Sequence, residues 1–357
     1  MNVALKIWRF DPATGERALR DYEVEAPEWA CLLDVLDLVK DTLDGSLAYR
    51  KSCRMMICGS CGMRMDGRAV LACKERMKPI VDRGHVPVIS AMGNMPVLKD
   101  LVVDMTPFWS KIRDMKPWLD TGYEELPERE FIHSQGAMNP IHKESLCIMC
   151  GCCVSECNSM ESDPEFFGPA ALAKGFRFVG DPRDRATIER LEAYNDEHGI
   201  WDCTRCYFCN ERCPKGVDPR DAIAKLGAES MRHGIDRDMG AKHAKWFVHS
   251  AKTTGWLRET ELVPKTQGIV SALKETRFAL SLARRGKVPP PFPPHVAKDV
   301  QESRRLYDVV KSQGIDGAAG IVQGERALAR IEHTDHGSVR RDAPEITPGV
   351  EPPHAEG

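Results

Sequence analysis

Four cysteines near the middle of the chain, Cys203, Cys206, Cys209 and Cys213, stand three, three and four residues apart, and Pro214 follows the last. This is the C-x2-C-x2-C-x3-C-P run of bacterial-type ferredoxins, whose thiolates hold iron–sulfur clusters. The same spacing occurs earlier, at Cys147, Cys150, Cys153 and Cys157. In paired runs of this kind the fourth cysteine ligates the other cluster. The assignment that follows places Cys147, Cys150, Cys153 and Cys213 on one [4Fe–4S] cluster. It places Cys203, Cys206, Cys209 and Cys157 on a second, which becomes [3Fe–4S] if Cys206 is not a ligand. Cys152 is left over and reads as a buried structural thiol.

A third set lies upstream. Cys53, Cys58 and Cys61 are followed after eleven residues by Cys73, the C-x4-C-x2-C…C spacing of plant-type [2Fe–2S] sites. Gly59 and Gly62 permit a tight loop whose backbone N–H groups point at the sulfurs and tune a reduction potential. Asp66-Gly67 is a two-residue hairpin signal, and the returning strand carries the chain to Cys73. Structural zinc is the competing reading, but zinc favours paired C-x2-C knuckles. Cys31, outside every set, reads as a small core residue.

Composition narrows the classes. The formal net charge is -3, so no global basic field argues for nucleic acid. All fourteen cysteines except Cys31 fall between Cys53 and Cys213, which indicates metal ligation in a reducing compartment rather than a disulfide scaffold. The start of the chain lacks a charged-then-apolar signal pattern, and no apolar run approaches the ~18 residues of a membrane span. No dinucleotide fingerprint or acid–base constellation is present, so no catalytic residue is assigned.

The elements that must position these cysteines follow from periodicity. Val3 to Phe10 and Arg17 to Ala26 read as paired strands, and Ala30 to Leu43 as an amphipathic helix. Met63 to Met65, Ala69 to Leu71 and Val86 to Ile89 supply further strands. From Pro107 short helices are expected, Trp109, Trp118 and Tyr123 among their residues, then helices near Pro169 to Phe178, Arg185 to His198 and Asp221 to Arg232. Ile269, Leu273, Thr276, Leu280 and Ala283 form a stripe on a basic amphipathic helix suited to a membrane surface or a partner. Pro289 to Pro294 reads as a stiff linker, Val300 to Lys311 as a helix, and the tail from Ala343 as disordered. His333 and His336 lie near that tail and are not taken as metal ligands. The fold class is α+β. The expected domains are residues 1–106 around the [2Fe–2S] site, 107–235 around the two ferredoxin runs, a helical extension over 236–342, and the tail 343–357.

Several segments together resemble the iron–sulfur subunit of succinate dehydrogenase and fumarate reductase. They are Tyr49 to Lys74, Cys147 to Cys157, Gly168 to Leu172, Phe176 to Phe178, Asp181 to Asp184 and Cys213 to Gly216, and the likeness covers about residues 1 to 235. It implies a β-grasp domain, a helical ferredoxin domain, and a flavoprotein partner that holds FAD and the dicarboxylate site. Three features depart from the usual family pattern. Cys206 stands where the family has a non-cysteine residue beside a [3Fe–4S] cluster. Asn158 replaces the proline after Cys157, and Glu161-Ser162 replaces a tryptophan that helps line a quinone pocket. Thr254 to Pro289 is similar to the tail of the heterodisulfide reductase C subunit. These departures resemble the type E succinate:quinone oxidoreductases, whose third subunit is cysteine-rich and similar to the heterodisulfide reductase B subunit. The resemblance implies a relay between FAD and a membrane-side (mena)quinone-reactive subunit, peripheral on the cytoplasmic face of the inner membrane, or on the periplasmic face if co-exported with a signal-bearing flavoprotein. The alternative is a relay in a heterodisulfide-reductase-like or glycerol-3-phosphate dehydrogenase-like complex.

Overall fold

The computed structural model describes residues 1–122, 130–131, 133–287 and 296–312. Tyr123, the Pro289 to Pro294 linker, His333, His336 and the tail from Ala343 lie outside the described residues.

The first strand, β1 (Asn2–Phe10), alternates as its sequence requires, with Val3, Leu5 and Ile7 buried. It pairs antiparallel with β2 (Arg17–Glu25). Helix α1 (Leu32–Thr42) starts at Cys31, whose N–H and Sγ both donate to Asp34 Oδ2, at 3.0 and 2.9 Å. Its buried face of Leu32, Leu33, Val35, Leu36 and Val39 covers the sheet. Strands β3 (Gly62–Met65) and β4 (Arg68–Leu71) turn through Asp66 and Gly67, both at positive φ, as a primed hairpin turn demands. After the short helix α2 (Lys78–Val81), β5 (Val88–Ser90) enters parallel to β1 and antiparallel to β3. The sheet order is β2-β1-β5-β3-β4.

A small hairpin, β6 (Val97–Lys99) and β7 (Val102–Val103), follows; it is absent from the sequence expectation. Its turn residue Asp100 is buried. The carboxylate accepts from Arg9 Nε at 2.9 Å and from the N–H groups of Phe10 and Ala48 at 3.1 and 2.8 Å, so this hairpin locks the N-terminal unit shut.

The second unit is helical: α3 (Thr106–Asp114), α4 (Gln135–Met138), α5 (His142–Ser145), α6 (Cys152–Ser155), α7 (Asn158–Ser162), α8 (Gly168–Val179), α9 (Thr187–Tyr194), α10 (Phe208–Arg212) and α11 (Pro219–Arg232). Helix α8 is its axis, buried along nearly its whole length and packed on α11, α9 and α3. The Asp181-to-Asp184 segment ends α8 with two ion-pair clusters. Asp181 takes Arg177 and Arg183, and Asp184 takes Arg190 at 2.8 Å. The Arg190 side chain is 2% exposed, and it also donates to the carbonyls of Met115, Lys116 and Trp118.

Beyond α11 come α12 (Met239–Thr254), α13 (Glu259–Thr266), α14 (Ile269–Lys274), α15 (Thr276–Arg284) and α16 (Val300–Ser312). The start of α12 meets Trp201, whose indole N–H is held by Asn195. The expected single helix through Ile269 to Ala283 is two helices. Thr276 Oγ1 donates to the carbonyl of Ala272 at 3.2 Å, a back-bond that bends helices, and Glu275 sits at φ -85°, ψ -2° between them. No described helix is long and apolar enough to cross a membrane.

The two cysteine-bearing units meet along a seam where backbone approaches backbone at Gly59, while Met92, Met95 and Val103 of the first unit pack into the core of the second. Gly59 has φ +70°, and a Cβ there would lie 2.8 Å from Cys150 Cβ and 2.9 Å from its Cα. Arg64 Nε reaches Ser155 Oγ at 3.1 Å and Glu156 Oε1 at 2.9 Å. Asn94 Nδ2 donates to the carbonyls of Val154 and Cys157, at 2.8 and 2.9 Å. The Gly93 N–H donates to Ser155 Oγ at 2.9 Å.

Three substitutions test this packing. Gly59→Ala should cost about 2–4 kcal/mol, because strain at positive φ adds to an overlap that neither backbone can relieve. Gly67→Ala, at φ +75° with nothing within 4 Å of the added carbon, should cost only about 1–2 kcal/mol. Equal losses in chemical unfolding of the two cluster-loaded variants would show that the seam tolerates a methyl group. Asp184→Asn leaves Arg190 buried without its carboxylate and should cost about 3–5 kcal/mol in the same measurement.

Candidate metal centres

The loop from Cys53 to Cys61 is built from backbone that L-residues seldom adopt: Arg54, Met56 and Gly59 all have positive φ. That geometry turns successive N–H groups inward. Those of Met55, Ile57 and Cys58 donate to Cys53 Sγ at 3.4, 3.3 and 3.2 Å, and the N–H of Cys53 donates to Cys58 Sγ at 3.5 Å. Ser60 Oγ lies 3.1 Å from Cys58 Sγ and is the main cause lowering that thiol to about 6. Burial pushes the Cys61 thiol up to about 12, and the nearby sulfurs of Cys73 and Cys58 add to the shift. The four sulfurs thus converge at the edge of the β3–β4 hairpin, inside a shell of N–H donors. Such a shell stabilises added negative charge on sulfur.

The two ferredoxin runs share one backbone design. The residues two and four places after the first cysteine have positive φ in both: Met149 and Gly151 in one, Arg205 and Tyr207 in the other. A short helix starts at the next position in each, α6 at Cys152 and α10 at Phe208, so Cys153 and Cys209 both lie in a first helical turn. A left-handed tyrosine is uncommon. Here the Arg220 guanidinium stacks 4.5 Å from the Tyr207 ring centroid and holds it.

Each run contributes its last cysteine to the other group. A cavity is lined by Cys147, Cys150, Cys153 and Cys213, with Pro214 and Val217. The Val217 N–H donates to Cys213 Sγ at 3.3 Å. Cys153 is raised well above its ordinary value by burial first and then by the sulfurs of Cys150, Cys147, Cys209 and Cys213. In the second group, burial first and then the sulfurs of Cys203, Cys157 and Cys206 raise Cys209 to about 12. Burial likewise raises Cys157, beside Cys203 and Cys206. Cys206 is the exposed member of its group. Cys153 senses Cys209, so the two groups are neighbours. Soft sulfur donors gathered in fours fit an iron–sulfur cluster, and no oxygen or nitrogen side chain lines the cavity among them except that of Lys215.

Cys152 is fully buried, not in the cavity but in the core of the N-terminal unit beside Cys150, and Cys31 is buried in that same core. Three residues missed from the sequence shape these centres. Arg64 and Asn94 clasp α6 and Cys157. Lys174, buried on α8, is the third: burial is the main cause lowering its ammonium, and the Cys147 sulfur opposes that shift. None sits in a motif, and each acts through a contact far away in sequence. Asp163, Glu165 and His198 also gather within 4.8 Å. Both ring nitrogens are already engaged there, Nδ1 at 2.6 Å from Asp163 and Nε2 at 3.0 Å from Glu165, which makes an ion-paired clamp.

Residues 4–110 match the 2Fe-2S iron-sulfur cluster binding domain family, and residues 144–217 match the 4Fe-4S dicluster domain family. The chain is similar to the fumarate reductase iron-sulfur subunit of Escherichia coli O157:H7, 37% identical over 232 residues that span 65% of this chain and 94% of the relative. It is 32% identical to the 8-methylmenaquinol:fumarate reductase iron-sulfur subunit of Wolinella succinogenes over 311 residues, 85% of this chain and 97% of that one. Among solved structures, a chain of the Mycobacterium smegmatis Sdh1 complex in the apo form superposes with a TM-score of 0.60 at 27% identity, covering 66% of this chain and 98% of the other. The sulfur groups, the domain matches and these relatives agree: the chain belongs to the iron–sulfur subunits of the succinate dehydrogenase and fumarate reductase family, electron-relay subunits of oxidoreductase complexes that carry [2Fe–2S] and [4Fe–4S] clusters.

Proposed function

We propose that this chain relays electrons between an FAD-bearing flavoprotein that interconverts succinate and fumarate and a membrane-side subunit that reacts with (mena)quinone. The observation that carries the reading is the arrangement of three sulfur groups in series. The Cys53–Cys61 loop lies against Cys150, and Cys153 of that group lies beside Cys209 of the next. On this reading Cys53, Cys58, Cys61 and Cys73 hold [2Fe–2S] in a β-grasp domain. Cys147, Cys150, Cys153 and Cys213 hold a [4Fe–4S] cluster. Cys157, Cys203, Cys206 and Cys209 hold the last. A cluster so bound takes up and gives back one electron at a time. The chain's own residues set the terms: N–H donors on Cys53 favour the reduced state, and Lys174 adds a buried cation beside Cys147.

The subclass reading is type E, with a cysteine-rich third subunit similar to the heterodisulfide reductase B subunit and peripheral attachment on the cytoplasmic face of the inner membrane. Cys206 supports it by completing a four-sulfur set. Asn158 and Ser162 support it because neither offers the aromatic wall of a standard quinone pocket. The Wolinella succinogenes relative, whose name carries 8-methylmenaquinol, also aligns over much of the C-terminal extension. The helical tail's likeness to the heterodisulfide reductase C subunit fits the same subclass. The N-terminal [2Fe–2S] domain weighs against a simple heterodisulfide-reductase-like or glycerol-3-phosphate dehydrogenase-like relay.

The complex purified without oxygen should carry about ten irons per chain, two for the plant-type centre and four for each of the others. Undamaged protein should show no three-iron EPR signal on mild oxidation, and Cys206→Ile should create one. A full-occupancy three-iron signal from the unsubstituted chain would remove Cys206 from the ligand set. Separately, Lys174→Met should lower the potential of the Cys147 cluster and leave the other two unchanged in an EPR-monitored redox titration. Loss of a partly buried attraction of about 1–2 kcal/mol corresponds to about 40–90 mV for one electron.

A further inference from the structure

Between α13 and α16, which packs back on α12 through Val300 and Arg304, the described chain buries almost nothing. Helices α14 and α15 contain no buried residue. Ile269, Leu273, Phe278 and Leu280 are 72%, 69%, 62% and 53% exposed. A helix of nine residues without packing is marginal in water, where isolated helices need about 12–15 residues. The apolar side of this arm therefore requires a cover that the described chain does not supply.

Two features identify the cover. The first is charge. Between Ile269 and Lys287 stand five cations, Lys274, Arg277, Arg284, Arg285 and Lys287, against one acid, Glu275, in a chain whose net charge is -3. None of the five forms a salt bridge with a described residue. On α15, Arg277, Ser281 and Arg284 share one stripe at helical spacing, while Phe278, Ala279, Leu280, Leu282 and Ala283 occupy the rest of the circumference. The second feature is composition. The arm has no Trp or Tyr, two of the three residue types that dominate protein-interface hot spots. Of the third, Arg, it carries Arg277, Arg284 and Arg285, which also suit lipid phosphates. It offers aliphatic side chains, one phenylalanine and long flexible cations, the make-up of helices that lie in a lipid interface.

We propose that the α14–α15 arm lies on an anionic lipid surface, with Ile269, Leu273, Phe278 and Leu280 in the headgroup–acyl boundary and the arm's cations against lipid phosphates. It attaches the subunit laterally, in keeping with the lack of a membrane-crossing helix among the described residues. The inference rests on the reading of the chain as the relay subunit of a membrane-attached complex. It adds a direct contact of this chain with lipid.

The test is co-sedimentation of the full-length, cluster-loaded chain with vesicles of equal parts phosphatidylglycerol and phosphatidylcholine, and with vesicles of phosphatidylcholine alone. Five cations less one acid, at about 1 kcal/mol per charge near an anionic surface, should make binding to the anionic vesicles about a thousandfold tighter and weaker as salt rises. The double variants Phe278→Glu/Leu280→Glu and Arg277→Glu/Arg284→Glu should each lose about tenfold or more. Cluster absorbance should stay unchanged, because none of the four side chains is buried. Equal binding to both vesicles, no binding to either, or variants that bind like the parent chain would overturn the proposal and assign the cover to a protein subunit. Cluster content and reduction by the flavoprotein, followed in the same samples, report on the relay reading independently of vesicle binding.

Discussion

Two backbones meet at Gly59 and Cys150 with no side chain between them, and the rest of the molecule is arranged to keep them there. The approach needs a residue without a Cβ at positive φ on one side and the left-handed entry to α6 on the other. Contacts around it then fix the orientation. Arg64 from β3 holds the end of α6 through Ser155 and Glu156, and Asn94 holds the carbonyls of Val154 and Cys157. Thus the N-terminal unit grips the first cysteine run at Cys150, near its start, and at Cys157, its end. The Cys53 loop lies against the first ferredoxin group, while Asn94 of the same unit also holds the Cys157 carbonyl of the second.

The three cysteine sets were legible because cluster ligation acts through short stretches of chain, where residue type and spacing alone carry the requirement. The shared positive-φ pattern of Met149, Gly151, Arg205 and Tyr207 shows what the spacing encodes: a tight loop feeding a helical turn. The Asp66-Gly67 hairpin and α1 were legible for the same local reason. What the pattern could not reveal depends on partners far along the chain. The β6–β7 hairpin is short and irregular, and Asp100 acquires its meaning only from Arg9, 91 residues away. Lys174 sits in a helix whose periodicity reads as ordinary core. The break at Glu275 follows from a hydroxyl back-bond of Thr276 that hydrophobic periodicity does not sense.

On the proposed ligation, the electrostatics of the buried cysteines would couple metal binding to the fold. Without metal, burial holds Cys61 and Cys209 near 12 and Cys153 well above its ordinary value, so these sulfurs remain neutral thiols at neutral pH. If these sulfurs hold clusters as proposed, ligation would require them as thiolates, and the iron would replace the protons that burial retains. Cluster insertion therefore releases protons and places negative charge on sulfur in a low-dielectric interior, at a cost that only the metal bonds and nearby donors offset. The N–H groups around Cys53, the Val217 N–H at Cys213 and the Lys174 cation are those donors in this chain. The reciprocal grouping of Cys157 and Cys213 adds a topological term. Helices α8 and α9 lie between the two runs, so bonds from iron to both runs would close the ends of that segment on each other. On the proposed ligation, the helical unit would depend for its stability on the same atoms that would give it a redox function.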